Sequence, residues 1–368
     1  MKTDTLDCKI HKTALHESHQ TLNAKMVPFG GFDMPVSYAD GILSEYFAVR
    51  NDVGIFDVSH MGEFFIRGPN ALKFLQRVTI NDVSKLNVGQ AQYSAMCYPD
   101  AGLVDDLIIY RKEDGFFMVV NAANIQKDFN WISQYVPKNT FLEDLSSEIS
   151  LVALQGPRSR ELLSKFTDIN LDIPFYTFEE GSICGFSAMI SRTGYTGELG
   201  FEIYTNEIAV INIWDELVNG GAQPAGLAAR DILRLEMTYC LYGNDIDDKT
   251  NPLEAGLGWI TAFNKKKFIG FDRIKKEKLV GSKRRLIAFI MEERGIPRPG
   301  YEVYCEEKNV GFVTSGTQSP SLNSGIGLAY VDAPYNKIGQ KISIQIRNKY
   351  LVGVIVKPPF IKGTSLHH

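Results

Sequence analysis

The residue pattern most suited to chemistry is a pair of adjacent aspartates, Asp105 and Asp106, just beyond the turn Pro99-Asp100-Ala101-Gly102 and shortly before Tyr110. In an extended segment successive side chains point to opposite faces, so Asp106, Ile108 and Tyr110 share one face and Asp105, Leu107 and Ile109 the other. The two carboxylates are therefore not expected to reach one site. A carboxylate fixed on a strand can stabilise a developing positive charge or accept a proton. The alternative, a strand-end aspartate capping a turn, is the reading for Asp105.

Other segments concentrate unusual residues. Ser191 to Glu202 reads Ser-Arg-Thr-Gly-Tyr-Thr-Gly-Glu-Leu-Gly-Phe-Glu, and Phe56 to Gly62 reads Phe-Asp-Val-Ser-His-Met-Gly. Ala225 to Tyr242 is expected to be a mostly buried helix carrying Arg230, Asp231, Arg234 and Glu236, charges that need partners or a ligand. His60 is read as a satisfied structural histidine, and Cys97 as strand packing, because no histidine lies near it in sequence to activate a thiolate. The five cysteines form no CxxC pair and histidine is scarce, so neither a disulfide framework nor a metal site is expected. His367 and His368 at the chain end are set aside.

The elements that would position these residues follow from periodicity. Asn70–Val78 and Asn124–Val136 have helical apolar spacing, and Arg158–Phe166 follows Gly156-Pro157 as a further helix. Cys97 to Tyr110 reads as strand, turn, strand, with Phe116–Asn121 as an extended neighbour. Strands and helices alternate irregularly, favouring antiparallel pairing over a βαβ series. A basic run from Lys265 to Arg285 includes Lys275, Lys276 and Lys278; it reads as a solvated helical face or as a docking surface for an acidic partner. Beyond it Ile342, Ile344 and Ile346, then Val352, Val354 and Val356, alternate with period two around Arg347-Asn348-Lys349, suggesting a small all-β C-terminal domain that begins near Gly281.

Composition excludes several classes. The 368 residues are 44% hydrophobic and 22% charged, too long for one typical core, with a net charge of −4 that offers no global field for nucleic acid. No run of about 18 apolar residues suggests a membrane span. The N-terminus shows no signal-peptide core, and Asp4 and Asp7 are unlike a mitochondrial presequence, so a bacterial cytoplasm is the expected compartment.

Six ordered segments together resemble the T-proteins of the glycine cleavage system from about Thr13 to Phe360: the Phe56 and Ser191 segments, Asp105-Asp106-Leu107, Ala225 through Glu236, Asn251-Pro-Leu-Glu-Ala-Gly-Leu-Gly-Trp259, and Thr314-Ser-Gly-Thr-Gln-Ser-Pro320. The resemblance implies an α+β fold of three domains in a cloverleaf. Two interleaved mixed α/β domains with antiparallel sheets would occupy residues 10–280, and a small β-barrel residues 281–365. It implies tetrahydrofolate-dependent aminomethyl transfer without a metal. The donor would be the lipoyl arm of the H-protein; ammonia and 5,10-methylenetetrahydrofolate would leave, and the P- and L-proteins would be indirect partners.

Carried over residue by residue, the resemblance makes Asp106 catalytic and Tyr93, Tyr110, Asn121, Tyr176, Tyr195, Glu202, Arg230 and Tyr239 folate-binding. Glu202 would pair with the 2-amino-pyrimidine edge of the pterin; the alternative is a solvent-facing strand glutamate. Arg230 and Tyr239 would be presented by the long helix, with a structural ion pair to Asp231 or Glu236 as the alternative for Arg230. Tyr176 is equally readable as a core aromatic, and the glycines beside Tyr195 are expected to let backbone approach a flat ring. Where the family often carries a C-terminal arginine, this chain has Lys362, which is no bidentate equivalent. Two relatives of the same fold compete: a folate-dependent demethylase, against which the intact Gly194-Tyr-Thr-Gly-Glu198 argues, and a non-enzymatic iron–sulfur assembly factor, whose Lys-Gly-Cys-Tyr element is absent.

Overall fold

The computed structural model describes residues 10–265 and 267–368. Asp4, Asp7, Cys8 and Lys266 lie outside them.

Besides the two-stranded hairpin Lys25–Phe29 and Phe32–Ser37, three larger sheets organise the described residues. A five-stranded antiparallel sheet runs in the order Ala91–Cys97, Leu103–Arg111, Gly115–Val120, Gly62–Arg67 and Phe141–Asp144. A six-stranded sheet runs Phe178–Ile183, Phe186–Ser191, Gly200–Thr205, Ser150–Gln155, Gly54–Asp57 and Gln223–Pro224, its last pair parallel. The chain enters the six-stranded sheet at Gly54, builds the five-stranded one from Gly62 to Asp144, and returns at Ser150, so these two units interleave. The third sheet is a closed six-stranded barrel starting at Arg284, with the expected hairpin Lys341–Ile346 and Lys349–Val356. The α+β class with antiparallel sheets and a C-terminal barrel is the fold this chain adopts.

Both faces of the central strands are covered, and period two sorts their side chains. Phe201 and Ile203 join Trp214 and Leu217 of the helix Glu207–Asn219 in one core, whereas Tyr204 faces a second core shared with Tyr110, Phe117 and Val119 of the other sheet. On Leu103–Arg111, Leu107 and Ile109 pack with Trp131 and Ile132 of the helix Ile125–Ser133, and Ile108 and Tyr110 turn toward the second core. Each large apolar side chain buried this way contributes about 1.5–3 kcal/mol. A site built on Asp106 and Glu202 therefore lies between the sheets, where their facing surfaces meet.

Three helices are shorter than their apolar patterns suggest: Ile125–Ser133, Ser159–Leu163 and Leu227–Glu236. The last correction matters most. The helix ends at Glu236, Thr238 adopts φ 59°, and Tyr239 stands on the segment beyond rather than on the helix. The expected hairpin around Pro99–Gly102 forms, with Ala101 at φ 77° in its turn.

Three charges of that helix, Asp231, Arg234 and Glu236, are paired as burial demands. Arg234 Nη1 meets Asp245 at 2.6 Å, and its guanidinium also binds Asp231 at 2.8 Å. Glu236 accepts from Arg50 at 2.6 Å, from the Tyr46 hydroxyl at 2.8 Å and from Ser319 Oγ at 2.5 Å. Arg234 also donates to Ser315 Oγ, and Thr314 to Asp245, so the Thr314–Pro320 segment is the seam between barrel and helix. The chain end returns across this seam: Ser365 donates to Glu198 from both N and Oγ. Lys362 stays exposed.

Candidate active site

Asp106 is half-buried on the face of its strand that turns toward the other sheet. Tyr93 on the neighbouring strand donates its hydroxyl to Asp106 Oδ2 at 2.9 Å, and Asn121, at the end of the next strand, donates Nδ2 to Oδ1 at 2.8 Å. Burial, and then the adjacent Asp105 charge, push the Asp106 carboxyl up to about 7, while the Tyr93 and Asn121 hydrogen bonds oppose the rise. A carboxyl with that proton affinity can take or give a proton near neutrality.

Asp105 departs from its expected role. The turn is capped by Asp100, whose Oδ1 accepts from Gly102 N. Asp105 is fully buried on the opposite face, yet Asn121 Nδ2 also donates to its Oδ1 at 2.9 Å, so one amide joins both carboxylates. Opposite faces did not keep them apart, because the bridging side chain sits where the neighbouring strand ends.

Glu202 is buried, not solvent-facing, since both sides of its strand are covered. Thr193 Oγ1 donates to its Oε2 at 2.5 Å, and its other oxygen receives no hydrogen bond from the described residues. Burial raises its carboxyl, opposed by the Thr193 hydrogen bond and the Arg230 charge. Tyr110 is fully buried beside it, its hydroxyl 2.9 Å from Tyr204 and 3.4 Å from Thr193 Oγ1.

Tyr195 and Tyr239 stack with centroids 5.7 Å apart at 25°, and the Tyr195 hydroxyl donates to Cys240 O. Arg230 lies over the Tyr195 ring at 4.8 Å. It forms neither ion pair considered for it: Arg234 takes Asp231 and Arg50 takes Glu236, while Arg230 Nη1 is buried without a partner among the described residues. Tyr176 holds φ 65°; its carbonyl accepts from Ala91 N and its own N–H donates to Arg192 O, so it clasps the two sheets where they meet. Its ring is half-buried against the inter-sheet core and within the field of Tyr239, Glu202 and Asp106. Seven of the nine candidates are half-buried, whereas Tyr110 and Glu202 are buried.

Two other expectations are corrected. A Cβ on Gly194 would lie 2.2 Å from Gln155 Oε1, and one on Gly197, at φ 78°, would strike Met237 at 2.4 Å, so these glycines make room for protein side chains rather than for a ring. His60 is buried edge-on against Phe29 and Phe32, but its Nδ1 has no partner among the described residues. Burial holds it near 4 against the opposing Asp57 charge, with a smaller push from Arg230, so it is neutral at physiological pH.

Residues outside the expected set also belong here. Thr193, inside the Ser191 segment, orients Glu202. Trp259, 74% exposed, stacks on Tyr93 with centroids 6.0 Å apart. Asp128 is fully buried behind Asp105; its signal was a carboxylate on the apolar stripe of Ile125, Phe129 and Ile132. The basic run divides: Lys275, Lys276 and Lys278 are exposed, whereas Lys265 is caged by Thr79 O at 2.5 Å and Asn81 O at 2.6 Å and is no part of a solvated face. No group of three or more His, Cys, Asp or Glu among the described residues is arranged to hold a metal, and no described helix is long and apolar enough to cross a membrane.

Comparison with known proteins gives two family matches, the GCVT N-terminal domain over residues 15–265 and the glycine cleavage T-protein C-terminal barrel domain over residues 284–362. The chain is 50% identical over 358 residues to an aminomethyltransferase of Flavobacterium psychrophilum and 47% identical over 356 residues to one of Halothermothrix orenii, covering 95% of this chain and 99% of each relative. Its fold matches the crystal structure of glycine cleavage system aminomethyltransferase T from Bartonella henselae with a TM-score of 0.91 and 31% identity, covering 96% of this chain and 98% of that one.

Proposed function

The chain belongs to the glycine cleavage T-protein family and has its aminomethyltransferase activity, and we propose that the site between the two sheets transfers the aminomethyl carbon from the lipoyl arm of an H-protein to tetrahydrofolate. Ammonia is released, and 5,10-methylenetetrahydrofolate and the reduced lipoyl carrier are the products. Residues 10–280 form the folate-binding region and residues 281–365 the barrel domain.

The observation that carries this reading is the placement of Asp106. It is a carboxyl with proton affinity near neutrality, held by Tyr93 and Asn121 on the face of its strand that turns toward the other sheet. In its anionic form it stabilises a cationic one-carbon centre, and it accepts the proton that a folate nitrogen must lose. Its charge is most valuable where water is excluded and positive charge develops.

The rest of the site fits a folate. Glu202 offers a free oxygen beside the one Thr193 holds, suited to the paired donors of a 2-amino-pyrimidine edge. Half-buried Arg230 holds its Nη1 buried and without a partner among the described residues, which is costly for a cation unless a ligand acceptor meets it. Tyr195 and Tyr239 form an aromatic wall, and Tyr93, Tyr110, Asn121 and Tyr176 complete the lining. The demethylase and assembly-factor readings have no observation in their favour.

The carrier arm is attached to another protein, so a docking face is required. Lys275, Lys276 and Lys278, exposed on the helix Phe271–Val280 beside the equally exposed Leu279 and Val280, are that face in this reading. The partner is an acidic, lipoylated H-protein, the P- and L-proteins act only through it, and the compartment is the bacterial cytoplasm. The decisive experiment mixes the protein with tetrahydrofolate and aminomethylated carrier. Equal yields of ammonia and 5,10-methylenetetrahydrofolate are expected; release of neither, with both substrates intact, overturns the reading.

A further inference from the structure

Behind Asp106 lies a buried acidic group that the reaction as described does not use. Asp105 and Asp128 are both fully buried, Asp105 on the strand and Asp128 on the helix Ile125–Ser133 that covers it. Asp105 is richly solvated by protein. Its Oδ1 accepts from Asn121 Nδ2 at 2.9 Å and Asn124 Nδ2 at 2.7 Å, and its Oδ2 from the Asn121 backbone N–H at 3.1 Å. Asp128 has the opposite lot: neither of its oxygens receives a hydrogen bond from the described residues, although it lies against Asp105.

Two adjacent carboxylates cannot both stay ionised away from water. Their shared proton goes to the group with fewer donors, because each N–H aimed at a carboxylate favours its charged form. That group is Asp128. Burial, and then the Asp105 charge, push its carboxyl up to about 11, so at neutral pH it is an acid whose O–H can only be satisfied by donating to Asp105. Burial raises Asp105 as well, but its three donors leave it the anion of the pair.

The anion is felt at Asp106 because Asn121 Nδ2 touches both carboxylates. The other titratable groups near Asp106 are neutral at physiological pH: Tyr93, Tyr176, Tyr195 and Cys240 are all pushed up, first by burial. Lys127 approaches Asp128 rather than Asp106, at 3.9 Å from Oδ1, with its Nζ committed to Val104 O and the Tyr242 hydroxyl. We infer that Asp105 and Asp128 form a buried carboxylate–carboxylic acid pair that positions the proton of Asp106 through Asn121. Asp105 and Asp128 are thus positioning residues, and the inference rests on the reading of Asp106 as the proton-handling group.

The test is a carboxyl titration of the full chain, labelled at aspartate with carbon-13 and free of substrate; the Asp106 resonance is the one lost in Asp106→Asn. In the wild type it should titrate near 7. Asp105→Asn removes the anion and should lower the midpoint by at least about one unit, a tenfold loss of proton affinity. Asp128→Leu deprives Asp105 of its donor, so Asp105 takes the proton itself and the Asp106 midpoint should fall in the same direction. Asp128→Asn, whose amide donates without an ionisable proton, should restore it. An Asp106 midpoint unmoved in folded Asp105→Asn, or an Asp128→Asn that behaves like Asp128→Leu, overturns the inference. Because no substrate is present, a protein that titrates as described but transfers no carbon fails the transferase reading alone.

Discussion

The Tyr93 hydroxyl donates to Asp106 Oδ2 across 2.9 Å, from the strand antiparallel to its own. That bond favours the carboxylate and holds the proton affinity of Asp106 down against burial. Tyr93→Phe should therefore raise it further. A hydrogen bond to a charged group is worth about 1.5–3 kcal/mol, so the acidic limb of the kcat profile should move up by about 1–2 units. A limb at its wild-type position would show that Tyr93 does not hold the carboxylate.

Asp106→Asn keeps size and removes charge. Turnover should fall by roughly 10²–10⁴-fold, the range for a positioned acid–base group. Folate affinity measured by calorimetry should change little, since Asp106 acts when charge develops. Near-normal turnover in the folded variant would take Asp106 out of the chemistry.

Glu202→Gln places an amide donor where ring donors are expected. Folate binding should weaken by about 1–3 kcal/mol, a buried hydrogen-bonding group being left unmatched. Equilibrium titration giving wild-type affinity would return Glu202 to a structural role beside Thr193.

Reversing Lys275, Lys276 and Lys278 to glutamate should slow reaction with the carrier-bound substrate, chiefly through association and most strongly at low salt, where screening is weakest. Free folate binding should scarcely change. Stopped-flow rates equal to wild type at low ionic strength would remove this face from the interface.

Acid stability should depend on Asp57. Burial raises its carboxyl, but His19, Thr13 at 2.6 Å and the Ser59 N–H at 2.9 Å outweigh it and hold the folded group below its ordinary value. The stabilisation is present above the unfolded value of about 3.9 and is lost as pH falls through the depressed folded value. Asp57→Asn should lower Tm at pH 7, because breaking a buried pair costs about 3–5 kcal/mol. It should also flatten the fall in Tm below about pH 4. Parallel Tm curves for both proteins across that window would contradict this.

Local pattern alone made much of the architecture legible. Period-two alternation announced the barrel hairpin after Lys341, and the glycine turn before Asp105 announced the strand pair that carries Asp106. Such signals are visible because a side chain's face follows from its own backbone geometry. The Ala225–Tyr242 helix was overextended for the complementary reason. Its apolar pattern continues to Tyr242, but the φ of 59° at Thr238 ends it and turns Tyr239 onto Tyr195. The residues around the two aspartates depended on tertiary structure still more. The strand direction separates Asp105 from Asp106, and only the position of Asn121 at the end of the adjacent strand rejoins them. Likewise, Arg230 has charged neighbours in sequence on a helix that offers them as partners, yet Arg50 and Arg234 claim those partners and leave its Nη1 without one among the described residues. Sequence determines which groups a chain can offer and which face of its own element each occupies. Which partners remain free is decided only when distant elements compete for them in the folded interior, where an unmatched charge is costly enough to mark a site.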